Sequence, residues 1–314
     1  MDLQDIRQAA DRIKPYVRRT PLEQSLSLSE KLGTNVFVKY ELFQKTGSFK
    51  ARGAFNKMLL MGEIERGAGV VAVSGGNHAQ AVGYAANILG IDAVIVMPEN
   101  TPQNYVDATR GYGAVVDLQP TIAAAFDKIA EYKDAGRTFI HPFDDPQIMA
   151  GQGTLGLEII NDLPDVTDVV ISIGGGGFLG GVSTALKELK PDVRIWGVET
   201  FGADTMSQAF AAGHPVEIAV TSIAKTLGAP YVTEATLEIA QRNLESITVV
   251  PDSDAVDAIL FIAERLKVIT EPAAACTLAA AERLKSNFDQ DTKLLLILCG
   301  GNTSIRDVCG YLNG

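Results

Sequence analysis

Thr46, Gly47, Ser48, Phe49 and Lys50 lead from an apolar, β-branched run into a segment fit for a helix, and so set an amine at a place where backbone N–H groups gather. Thr46, Gly47 and Ser48 read as helix-start signals, which puts Lys50 in the first turns. A helical lysine taken alone is most often a solvated surface residue, so its neighbours must decide. A second segment, Gly174, Gly175, Gly176 and Gly177, ends another apolar run. Each glycine held in fixed structure costs roughly 0.5–1 kcal/mol relative to alanine. Four in succession therefore imply that side chains would obstruct something approaching the backbone. With a helix expected over 182–189, free N–H groups would face that approach, and an anion, most often a phosphate, is the natural occupant; a flexible connector is the plainer reading. Two further segments carry polar groups in glycine-rich settings: Ser74, Gly75, Gly76, Asn77 and His78, and then Cys299, Gly300, Gly301 and Asn302.

Gly175, Gly177 and Gly180 also spell GxGxxG, with Glu199 at the end of the next apolar run, as in a dinucleotide site. A single pattern of this kind is weak, and here it lies midway along the chain. No Gly-Lys-Ser/Thr follows the glycines, so a Walker A loop is excluded.

The elements that must position these groups follow from hydrophobic patterning. Apolar runs at 36–40, 70–73, 93–97, 169–173, 193–198 and 294–298 are mostly separated by amphipathic stretches long enough for helices. Alternation of this kind predicts parallel pairing in a doubly wound α/β fold, with ligands at the carboxyl ends of strands, where the four segments lie or border. A chain of 314 residues, 46% hydrophobic, fills one large domain or two modest ones, and no repeat or linker marks a boundary. A formal charge of −11 repels nucleic acid phosphates and anionic membrane surfaces, leaving a small molecule as the default ligand. Charged residues from Asp2 to Lys14 interrupt residues 1–20, so no secretory signal is expected, and no membrane span either, which predicts a cytoplasmic protein. Cys276, Cys299 and Cys309 are spaced neither for a metal nor for a disulfide framework.

The run Thr46, Gly47, Ser48, Phe49, Lys50, Ala51, Arg52, Gly53, Ala54 resembles the fold-type II pyridoxal phosphate (PLP) enzymes, and within them the serine/threonine dehydratase and serine racemase group. The other three segments match that family in the same order, so the resemblance covers nearly the whole chain. It implies that Lys50 bears the cofactor, that Gly174, Gly175, Gly176 and Gly177 hold its phosphate, and that Phe49 supports its ring. Asn77 would then bond the ring oxygen and Cys299 would lie beside the ring nitrogen. Ser74, Gly75, Asn77 and His78 would form the loop for the substrate carboxylate, although the His78 side chain by itself reads as a packing or capping group. The implied architecture is two open, twisted parallel-sheet domains with the cofactor in the cleft. Residues 1–62 and 146–314 would form the large domain and 63–145 the small one, with no C-terminal regulatory domain, in a homodimer.

The implied reaction is α,β-elimination from L-threonine or L-serine to a 2-oxo acid and ammonia, with 3-hydroxyaspartate or phenylserine as alternative substrates. Lys50 can serve twice, since an incoming amino acid displaces it and leaves its amine as a base. A thiol at Cys299 favours elimination over transamination, because unlike a carboxylate it does not fully protonate the ring. Racemases of the group use a second hydroxyl one residue after the first serine of the loop; here that position is Gly75, so little racemisation is expected. β-Replacement enzymes usually show Asn-Thr-Gly where this chain has Asn77, His78 and Ala79, and a nicotinamide-dependent oxidoreductase rests on GxGxxG alone. Glu199, Ala203 and Thr205 match a cation site of the family in which a hydroxyl at the third position points to potassium rather than magnesium. Tyr105, where a lysine is common, and Lys225, where Ala-Asp-Gly is usual, are departures.

Overall fold

The structure, a computed structural model, describes residues 1–313; Gly314, the last residue of the expected large domain, lies outside them. Its strands in chain order are β1 (Leu22–Gln24), β2 (Asn35–Lys39), β3 (Val70–Val73), β4 (Ala93–Pro98), β5 (Val115–Gln119), β6 (Thr138–Phe139), β7 (Asp168–Ser172), β8 (Arg194–Thr200), β9 (Ser246–Val250) and β10 (Lys293–Ile297). They form a six-stranded sheet in the order β1-β2-β10-β7-β8-β9 and a four-stranded sheet in the order β5-β4-β3-β6. Every pairing is parallel except that of β1 with β2.

All six apolar runs form strands. β3 and β7 are buried along their whole length, as strands covered by helices on both faces must be, whereas β5 is an edge strand with exposed positions. Two apolar clusters cover the large sheet, one built around Val38, Val170 and Leu296 and the other around Val169, Ile171 and Leu295, so alternate residues of β7 and β10 serve opposite faces.

The small sheet's strands all lie between residues 70 and 139. Its core also takes in Ala51, Ala54, Phe55 and Met58 from helix Lys50–Leu59, together with Ile148 from helix Pro146–Asp162. The turn into that helix thus joins the two cores: Phe49 packs in the large sheet's cluster and the residues just after Lys50 in the small sheet's.

A buried ion network fixes that helix. Arg52, 1% exposed, donates to both oxygens of Glu41 at 2.8 Å and to Glu158 at 2.7 Å. Lys39, fully buried in β2, reaches Glu158 and the Thr20 carbonyl, each at 2.7 Å. Burial alone would raise the Glu41 carboxyl, yet Arg52, Thr20 and Lys39 hold it below its ordinary value. Among the described residues, no helix is long and apolar enough to cross a membrane.

Candidate active site

The segment before Lys50 folds by reversing its handedness rather than by capping a helix. Thr46 has φ 59° and Gly47 φ 72°, inside a tight turn over Lys45–Gly47. A methyl carbon on Gly47 would lie 2.4 Å from Asn302 Oδ1, so both the φ and the space call for glycine. Ser48 then bridges to Gly300, and the Phe49 N–H donates to the Cys299 carbonyl at 3.1 Å. The helix starts at Lys50 without a side-chain cap. Lys50 therefore stands in the first turn as expected, but Thr46, Gly47 and Ser48 do not cap that helix: they shape the turn and dock it on the loop after β10.

Lys50 Nζ donates to the Pro142 carbonyl at 2.6 Å and lies 5.3 Å from the centre of the Phe49 ring. Burial pulls its amine down to about 8, against the opposing pull of Cys299 and Glu271. The next residue, Phe143, packs on the glycine loop. A methyl carbon on Gly175 would lie 2.3 Å from its ring, and one on Gly177 would lie 2.4 Å from its carbonyl oxygen.

The loop follows β7, and helix Gly177–Leu189 starts inside it, earlier than the 182–189 predicted. Gly176, with φ 90°, is the N-cap and offers no side-chain hydrogen bond, leaving the first helical N–H groups without a side-chain acceptor. Gly174 abuts the Leu227 backbone. What approaches these glycines within the chain is thus Phe143, Leu227 and the Thr236 and Met206 side chains, while the uncapped helix end is left for an anion. Phe49 stacks on Phe178, the second residue of that helix, at 3.9 Å between ring centres.

Asn77 opens helix Asn77–Leu89, whose N-cap, Gly76, likewise supplies no side-chain bond. Its Nδ2 donates to Glu271 Oε1 at 2.8 Å, and its Oδ1 accepts from Asn302 Nδ2 at 2.7 Å. Ser74 Oγ accepts from the Gly76 N–H at 3.1 Å. A methyl carbon on Gly75 would lie 2.8 Å from Thr101 Oγ1, so the loop leaves little room for a side chain there. The His78 ring is bonded to the Ile140 carbonyl at 2.8 Å, and burial, with Lys50 adding, takes it down to about 3: a neutral packing group whose main chain alone faces the loop.

Cys299 Sγ lies 3.4 Å from Ser172 Oγ at the end of β7, and burial, with Glu271 adding, pushes the thiol up to about 12. It stays protonated and can donate a hydrogen bond. Glu199, at the end of β8, accepts from the N–H groups of Met206 (3.0 Å) and Ser207 (2.7 Å), while burial takes its carboxyl up to about 8. Thr205 Oγ1 donates to the Ala229 carbonyl at 2.6 Å, and Ala203 is buried beside them. Met206 touches the glycine loop, so the Glu199 group is its neighbour.

Lys50, the glycine loop, Asn77 and Cys299 are therefore brought together. Sequence reasoning missed Glu271, the residue that ties them. It is 2% exposed, burial raises its carboxyl to about 7 against the Asn77 bond, and its Oε2 has no hydrogen-bond partner. The available signal was a carboxylate set before Pro272 at the head of a stretch, Pro272 to Ala281, that is apolar but for Thr277. The 141–143 stretch, which brackets Lys50 and the glycines, was also missed.

Residues 13–300 match the model of the pyridoxal-phosphate dependent enzyme family. The chain belongs to this family. It is 39% identical to the L-threonine ammonia-lyase of Thermotoga maritima, across 99% of this chain and 78% of that protein. It is 38% identical to the catabolic L-threonine dehydratase of Staphylococcus aureus, across 99% and 92%. The structure of maize serine racemase superposes with a TM-score of 0.94 at 35% identity, across 99% of this chain and 97% of that one. The two α/β domains with parallel sheets are those of a fold-type II PLP enzyme. The residues present fit the PLP cofactor. A buried amine of lowered basicity, an uncapped helix end and a protonated thiol converge, and Thr46 Oγ1, Ser48 Oγ and Glu271 Oε2 are buried there without partners. A dinucleotide reading of GxGxxG is thereby set aside.

Proposed function

We propose that this protein is a PLP-dependent ammonia-lyase that converts L-threonine or L-serine to the corresponding 2-oxo acid and ammonia. The observation that carries this reading is the pairing of one buried, weakly basic amine, Lys50, with a protonated thiol, Cys299, at a site whose loop has glycine at position 75. The similarity to L-threonine ammonia-lyases along almost the entire chain supports it.

In this proposal Lys50 would bear the cofactor, Gly174 to Gly177 would hold its phosphate, Asn77 would bond its ring oxygen, Cys299 would donate to its ring nitrogen and Phe49 would support its ring. Ser74, Gly75, Asn77 and His78 present the hydroxyl and main-chain N–H groups that bind the substrate carboxylate. When bound, the cofactor supplies an electron sink for charge left at the α-carbon and a phosphate able to protonate the departing hydroxyl. Lys50 Nζ takes the α-proton; an amine titrating near 8 accepts it and can release it again at neutral pH. Cys299 keeps its own proton and would hydrogen-bond the ring nitrogen without transferring the proton to it, which would favour elimination over transamination. Water is lost from the substrate and regained on hydrolysis, so amino acid yields 2-oxo acid plus ammonia without a protein nucleophile.

Racemisation is the second reading, favoured by the likeness to maize serine racemase. Against it stands Gly75, which brings no hydroxyl of its own to the position where racemases of the group carry one. Potassium bound by the Glu199 carboxylate, the Ala203 carbonyl and the Thr205 hydroxyl belongs to the same proposal, as do domains divided near residues 62 and 146 and a cytoplasmic homodimer. Replacing potassium with a non-binding cation should then lower turnover several-fold.

The deciding experiment measures 2-oxo acid release from L-threonine, L-serine, both 3-hydroxyaspartate diastereomers and phenylserine, with PLP and potassium present. Release from threonine or serine is expected, with D-serine forming from L-serine far more slowly than pyruvate. Lys50→Ala should lose turnover and the visible absorbance of bound cofactor together. Silence on both threonine and serine in a coloured protein would overturn the assignment.

A further inference from the structure

Tyr105 and Asn77 come from the small-sheet part of the chain, and both grip one residue of the loop after β10. The Tyr105 hydroxyl donates to the Asn302 carbonyl oxygen, while Asn302 Nδ2 donates to Asn77 Oδ1 and to the Thr46 carbonyl, each at 2.7 Å. Asn302 is therefore held at its main chain from helix Gln103–Gly111 and at its side chain from the head of helix Asn77–Leu89. Thr101, four residues before Tyr105, abuts Gly75, so the same stretch of chain also backs the Ser74 loop.

We propose that Tyr105 is a positioning residue: by fixing the Asn302 main chain, it aims the Asn302 amide at Asn77 and so holds the Ser74–Asn77 loop against the large sheet in the arrangement that binds the substrate carboxylate. The phenol suits that task. It has few rotatable bonds, and burial, with Glu271, Tyr311 and Asp307 adding, moves its ionisation further above the ordinary value, so it remains a donor. The inference rests on the proposed substrate-binding role of the loop.

Loss of one neutral hydrogen bond weakens an equilibrium by about fivefold. Because the bond stands equally in the ground and transition states, the change should fall on KM. In the holoenzyme, Tyr105→Phe should raise KM for the amino acid about fivefold with kcat held within about twofold. It should also speed amide hydrogen exchange over 300–304 by a similar factor. In an Asn302→Ala background, where the amide no longer reaches Asn77, Tyr105→Phe should add nothing to KM. An unchanged KM, unchanged exchange, or an equal rise in both backgrounds would overturn the proposal. Exchange is read without turnover, so a wild-type protein that released no 2-oxo acid would sink the proposed reaction and leave this test standing.

Discussion

Lys50 gives up much of its basicity by being enclosed, which suits the role proposed for it of holding a cofactor and then accepting a proton. Its amine has one hydrogen-bond partner, the Pro142 carbonyl, and its titration near 8 leaves a substantial free-amine fraction at neutral pH. The sign of the pH effect follows: as pH falls below 8 the amine gains a proton and loses its nucleophilic lone pair. Capture of PLP by the apoprotein, followed by its visible absorbance, should slow about tenfold for each pH unit below 8 and level off above it. A flat rate from about pH 6 to 9 would mean that Lys50 is not the group being titrated. Lys50 was legible in the sequence because Thr-Gly-Ser-Phe-Lys is a contiguous word. Glu271 was not, since a glutamate before a proline is what an ordinary helix start looks like, and its weight comes from Asn77, 194 positions away in the chain.

At the level of elements, the glycine loop is a joint between chain segments as well as the proposed phosphate site, and its glycines are unequal. Gly177 meets the main chain of Phe143, which cannot swing aside, whereas the nearest neighbour of Gly180 is the flexible Met149 side chain at 3.3 Å. Overpacking of a fixed contact costs ~1–3 kcal/mol. Gly177→Ala should therefore weaken retention of PLP by at least about tenfold, measured by equilibrium titration, while Gly180→Ala stays near wild type. Equal tolerance at both positions would show that the loop yields. This ranking was invisible in the sequence, where all the glycines look alike and the GxGxxG word gives Gly180 the same weight as Gly177. Strands were legible where both faces are covered, as in β3, β7 and β10, because such strands read as unbroken apolar runs. β1, β5, β6 and β9 escaped notice: all four sit at sheet edges, and nearly all of their positions are half-buried or exposed.

Across the whole molecule, the small sheet's core takes in helix Lys50–Leu59 while Phe49, just before it, packs in the large sheet's, and the ion network around Arg52 ties that helix to Glu41 and Glu158. Arg52→Ala would strand Glu41, fully buried, without its hydrogen-bonded cation, a change that typically costs ~3–5 kcal/mol. Chemical denaturation of both apo and holo forms should show that loss; a change below about 1 kcal/mol would mean the network contributes little to holding the helix. Alternation of strands and helices made the two-sheet plan readable, but the sequence could not say that residues 51–58 finish the small sheet's core, because that contact depends on where the chain returns at Ile148. The stretch from Ile140 to Phe143 leaves β6, the shortest strand, and supplies the His78 partner, the Lys50 partner and the wall of the glycine loop within four residues. It works like the bridge of a stringed instrument: in the proposed site any slackening of the small sheet would be felt at the amine and at the glycine loop together, so the colour of a cofactor held there would report on a part of the protein that does not touch it.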